Sequence, residues 1–135
     1  ASKEKRLAYY RKYSKKRYKK NKKLILREQK TRYETYKEQY HKYALEHRRE
    51  LRMKVLGVVG NGKIECSKCK YSDYRVLAIN HINGNGSQEI NKVYNRNKEK
   101  FYNDIILGQR KKDDLNILCH NCNVLYEYEV GRRLT

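Results

Sequence analysis

The sequence predicts an α+β chain in two parts: a long basic helical arm over residues 1–56, followed by a small metal-stapled module over residues 57–135. Three observations lead there. No glycine occurs between Ser2 and Leu56, and the whole chain lacks proline, so no helix breaker interrupts the arm. Residues 1–56 carry 21 Lys and Arg against 6 Asp and Glu, and residues 57–135 carry 13 against 9, so most of the net charge of +19 sits in the arm. Four cysteines fall as two Cys-x-x-Cys pairs, Cys66/Cys69 and Cys119/Cys122, both in the module.

The arm is expected to form one or two long helices; about 50 helical residues would span roughly 75 Å. Tyr33, Tyr36, Tyr40, Tyr43 and His47 recur at steps of three and four and form one stripe, with charge opposite. Upstream, Lys12 precedes a run without any acid: Lys15, Lys16, Arg17, Lys19, Lys20, Lys22 and Lys23. Such a density repels itself in water and is relieved against phosphate, where each neutralised charge also releases counterions. These eight residues are the candidate nucleic-acid contacts. The tyrosines suit packing, base stacking or phosphate hydrogen bonding equally well. The arm lacks the Leu/Phe/Trp face that a membrane-surface helix buries.

Gly57, Gly60 and Gly62 mark the expected hinge between arm and module. Val76 to Ile82 reads as a strand and Asn83-Gly84-Asn85-Gly86 as the turn ending it. Ser87 is placed to cap a helix carrying Ile90, Val93 and Tyr94, and Phe101, Ile105 and Ile106 fit a second helix closed by Gly108. Leu115 to Leu118 reads as a return strand entering Cys119, and Cys122 to Val130 as a last helix bearing Leu125 and Tyr128.

A module of this size has a marginal apolar core and usually needs a staple. Leu24-Ile25-Leu26 is the only apolar triplet of the arm, too short for a signal peptide or a membrane span, so a cytoplasmic setting with reduced thiols is expected. Two thiolate pairs then suit one tetrahedral ion in a closed Cys₄ shell, a structural zinc with no open position. The 49 residues between Cys69 and Cys119 exceed the spacing of about 15–20 in ordinary zinc ribbons. His120, between Cys119 and Cys122, is expected to face solvent, its alternatives being to replace a cysteine on the ion or to touch phosphate.

Knuckle, hairpin, second knuckle and terminal helix make a treble-clef order. Cys66-x₂-Cys69, Ile79-Asn80-His81-Ile82-Asn83-Gly84 and Leu115-Asn116-Ile117-Leu118-Cys119-x₂-Cys122-Asn123 resemble the HNH, or ββα-metal, endonucleases, in particular the small forms of phages and archaea. The resemblance covers residues 64–130. It implies that His81 is the general base on the attacking water, that Asn80 and Asn123 hold one Mg²⁺ or Mn²⁺, and that Asn116 steadies the histidine's loop. It also implies that the four cysteines hold structural zinc.

The family usually has Asp where this chain has Asn80, which leaves such an ion two neutral amide oxygens. Magnesium normally takes one or two carboxylates, and Glu89, Asp113 and Asp114 do not fall at positions the family uses. Two functions follow as expectations. The first is a divalent-metal-dependent endonuclease hydrolysing phosphodiester bonds. The second is a catalytically inactive HNH-like zinc protein binding structured RNA, ribosomal RNA included. Both have nucleic acid as partner, DNA or RNA, and neither a membrane nor a small-molecule substrate.

Overall fold

The computed structural model describes residues 2–132. Its first element, α1 (Lys3–Val59), is a single helix of 57 residues. By internal contacts the chain divides after Ala44. In residues 2–44 nearly every side chain is exposed, with Asn21, Ile25 and Ala44 partly covered. This stretch is held by its own backbone bonds, helped by the absence of glycine and proline, and by neighbours one turn apart. Tyr36 and Tyr40 meet edge to face at 6.4 Å, and Lys37 pairs with Glu34 at 3.3 Å.

The second unit begins at Leu45, so the boundary drawn at residue 56 falls inside α1. The last turns of the helix bury Val55, Leu56 and Val59 in the core, and α1 runs through Gly57. The chain reverses afterwards. Gly60 N–H bonds to Leu56 O at 2.9 Å and Gly62 N–H to Gly57 O at 2.8 Å, with Asn61 and Gly62 at positive φ. Lys112 Nζ donates to Val58 O at 2.7 Å, a carbonyl that Asn61 N–H also reaches at 3.3 Å, and Arg52 donates to Leu77 O from the helix flank.

A one-turn 3₁₀ segment (Tyr74–Val76) leads into β1 (Leu77–His81), which pairs antiparallel with β2 (Leu115–Cys119). The register sets Leu77 opposite Cys119, Asn80 opposite Asn116 and His81 opposite Leu115. Between the strands lie a short α2 (Gly86–Gln88), a π-turn (Glu89–Val93) and α3 (Lys98–Ile106); α4 (His120–Glu129) follows β2. Leu77, Ile117, Leu118, Phe101 and Ile105 join the end of α1 in one core.

Several sequence expectations need correction. Ser87 does not cap a helix: Asn85 stands at the N-cap and Ser87 lies within α2. Val93 and Tyr94 do not share a face, because the helix widens at Glu89. Tyr94 N–H bonds to Glu89 O at 3.2 Å, five residues back, which turns Tyr94 into the core and leaves Val93 exposed. The last helix starts at His120, and Leu125 and Tyr128 are exposed while Tyr126 packs on the core. The expected strands, α3 and its Gly108 stop at φ +76° stand as read.

Ile117 is 1% exposed at the centre of this core. Ile117→Ala is expected to lower unfolding stability by about 2–5 kcal/mol through lost transfer energy and a cavity. Urea denaturation of the zinc-supplemented protein measures it.

Candidate functional site

The two cysteine pairs meet. The Sγ atoms of Cys66, Cys69, Cys119 and Cys122 lie within 4.8 Å of one another, and Cys69 and Cys119 are 3.6 Å apart. A tetrahedral shell with Zn–S of about 2.3 Å places sulfurs roughly 3.8 Å apart. None of the four is in a disulfide. The cluster could therefore hold a metal such as zinc.

The knuckle that presents Cys66 and Cys69 is closed by Lys70 N–H to Cys66 O at 3.0 Å and Cys66 N–H to Tyr71 O at 2.8 Å, with Lys70 in the left-handed region at φ 65°. Ser67 N–H reaches Ile117 O at 2.8 Å and ties the knuckle to β2. Cys119 caps α4, its Sγ accepting from Cys122 N–H at 3.5 Å. Burial pushes the Cys66 thiol up, but backbone N–H groups of Cys69, Cys119 and Lys68 outweigh it and bring the thiol down to about 6. Hydrogen bonding to Cys119, with burial, pushes Cys122 up to about 12. One sulfur ionises readily and a neighbour resists. A cation among them removes that conflict. His120 is exposed beside the cluster.

A cavity of about 430 Å³ is lined by Asn80, His81, Asn123, Lys98, Glu127 and Arg132, among others. Three of the four residues singled out for catalysis thus share one wall. Asn116 is not among the lining residues: its Oδ1 accepts from Asn80 Nδ2 at 3.0 Å across the strand pair. The loop after His81 is held instead by Tyr126, whose hydroxyl donates to Ile82 O at 2.7 Å and His81 O at 3.2 Å. Asn123 stands in the first turn of α4, which Cys119 caps.

His81 is 7% exposed and stacks on Phe101 at 5.4 Å between ring centres. Its Nε2 lies 2.6 Å from Glu89 Oε2. Glu89 in turn receives Arg110 Nε at 2.6 Å and Nη2 at 2.9 Å, and Arg110 also grips Asp114 at 2.6 and 2.8 Å. The Arg110 guanidinium holds both carboxyls below their ordinary range. An ionised carboxylate only accepts, so Nε2 carries the hydrogen, and in the neutral ring Nδ1 keeps its lone pair. Gly86 lies beside that atom, where a Cβ would come within 2.5 Å of Nδ1.

Glu89 and Arg110 were missed as site residues. Glu89 follows His81 by eight positions, a spacing that points to it only once the turn and the start of α2 are in place. Nothing in the sequence marks Arg110. The arm residues Lys12, Lys15, Lys16, Arg17, Lys19, Lys20, Lys22 and Lys23 are all exposed on α1, as are Tyr33, Tyr36, Tyr40 and Tyr43. Among the described residues, no helix is long and apolar enough to cross a membrane.

Comparison with protein-family models, curated proteins and solved structures gave no match.

Cys69→Ser is expected to abolish stoichiometric zinc uptake and to remove the thiolate-to-metal absorption of the cobalt-substituted protein. Cobalt titration followed by visible spectroscopy reads both, and His120→Ala should leave them unchanged.

Proposed function

We propose that this chain is a nucleic-acid-binding protein of the HNH type, with a structural zinc in the four-cysteine cluster and divalent-metal-dependent endonuclease activity at the His81 cavity. The observation that carries the reading is His81 itself. Its Nε2 is fixed on Glu89, its Nδ1 lies beside Gly86, and its cavity also presents Asn80 and Asn123. The antiparallel β1–β2 pair followed by α4, with a cysteine pair at each end, agrees with a treble-clef arrangement.

On this reading, Nδ1 takes the proton of a water whose oxygen forms the new bond to phosphorus while a sugar oxygen leaves. Glu89 keeps the ring in the tautomer that can do so and stabilises the imidazolium that results, and Arg110 keeps Glu89 ionised. Lys98 and Arg132, in the wall of the same cavity, are cations suited to phosphate oxygens. Asn80 and Asn123 would hold Mg²⁺ or Mn²⁺, which when bound polarises the phosphate and favours departure of the leaving oxygen. The exposed Lys and Arg of α1 supply general affinity for the backbone.

A second reading has its own support. The amide of Asn80 is engaged with Asn116, β1 carries no carboxylate, and α1 exposes interleaved Tyr, Lys and Arg along its length. These features suit a scaffold that binds structured RNA without cutting it. One assay separates the two: supercoiled plasmid and folded RNA incubated with Mg²⁺ or Mn²⁺. A nuclease nicks, loses about 10²–10⁴ in rate as His81→Ala and keeps its binding. A protein that binds and never cuts is the scaffold, and retention on ribosomes through high-salt washing would support it.

Glu89→Gln is expected to slow cleavage about 10- to 100-fold and to move the pH profile, with zinc content unchanged. Replacing Lys15, Lys16, Lys19 and Lys20 by Gln should flatten the log Kd against log salt line by about 3–4 units of slope, read from fluorescence anisotropy at several salt concentrations.

A further inference from the structure

The nuclease reading leaves an electrostatic deficit. A hard divalent ion between two asparagines meets only neutral oxygens, and magnesium in particular dehydrates reluctantly without a carboxylate. β1 offers none. Glu89 and Asp114 are engaged by His81 and Arg110.

α4 offers one. Glu127 follows Asn123 by four residues, one helical turn, which stacks the two side chains on the same face. Both are half-buried, and both line the His81 cavity that Asn80 also lines. Among the described residues lining that cavity, Glu127 is the only acid. Asn80 gives its Nδ2 hydrogen to Asn116, which leaves Oδ1 as its atom for a cation.

We propose, resting on the nuclease reading, that Glu127 is the carboxylate ligand of the divalent ion, completing a set with Asn80 and Asn123. The negative charge that β1 lacks is supplied from α4. Lys98 and Arg132 in the same wall would meet Glu127 before the ion arrives and turn to substrate phosphate once it is bound.

The test uses the full zinc-loaded chain and Mn²⁺ alone as probe, followed by electron paramagnetic resonance of free Mn²⁺, with plasmid nicking in parallel. Wild type is expected to take up one Mn²⁺; Glu127→Gln should weaken uptake at least about tenfold with zinc content and circular dichroism unchanged. Asn80→Asp in the Glu127→Gln background should restore both uptake and nicking, because it returns one carboxylate to the shell from β1. If Glu127 serves only to pair with a cavity cation, Arg132→Gln weakens uptake as much as Glu127→Gln does and Asn80→Asp restores nothing, which overturns the proposal. Nicking by a wild type that takes up no Mn²⁺, or wild-type uptake by Glu127→Gln, also overturns it and leaves the nuclease reading standing. A wild type that neither takes up Mn²⁺ nor nicks removes both.

Discussion

The convergence of four sulfurs is the constraint on which the second unit depends. Apolar burial comes mainly from the end of α1, from β1 and β2, and from α3, whereas Cys122 is the only buried residue of α4, with Tyr126 partly covered against the core. The cluster therefore does for α4 what a hydrophobic face does for other helices, and it joins the knuckle at Cys66 to the β2–α4 junction. Everything α4 delivers follows from that anchorage: Asn123 and Glu127 in the cavity wall, and the Tyr126 hydroxyl gripping the carbonyls after β1. With a core this small, a metal in the cluster would contribute folding free energy directly.

The second organising interaction is the chain of charge from Asp114 through Arg110 and Glu89 to His81. Groups so little exposed are costly to desolvate unless their hydrogen-bonding capacity is met, and the guanidinium fork between two carboxylates meets it. A core of this size gains little stability from buried ions compared with packed hydrocarbon. Such a network is better understood as fixing the orientation and tautomer of one imidazole, which is why the functional reading starts from His81 rather than from the exposed lysines.

Much of this was legible in the chain itself. The cysteine spacing foretold the cluster, short apolar runs foretold both strands, and the absence of breakers foretold one or two long helices, of which the chain forms one, α1. Sequence failed where tertiary packing decides. The second unit takes in the end of α1 because Val55, Leu56 and Val59 find a core to enter, and no local signal separates that stretch of α1 from the exposed part before it. Asn116 was expected to hold the histidine's loop, but strand register sets it against Asn80, and a tyrosine from another element takes the loop. Arg110 sits in an ordinary basic segment and acquires its role only through distant partners.

The widened turn at Glu89 to Val93 has a consequence for how this region tolerates change. In a regular α-helix, positions five apart point about 140° away from each other. Glu89 and Tyr94 are five apart, yet the carboxylate reaches His81 and the ring reaches Phe101, on which His81 also stacks. The surplus residue reconciles those two demands. Deleting one position between Ile90 and Val93 would produce a more regular helix and force a choice between orienting the imidazole and filling the core, so chain length there is as tightly specified as residue identity.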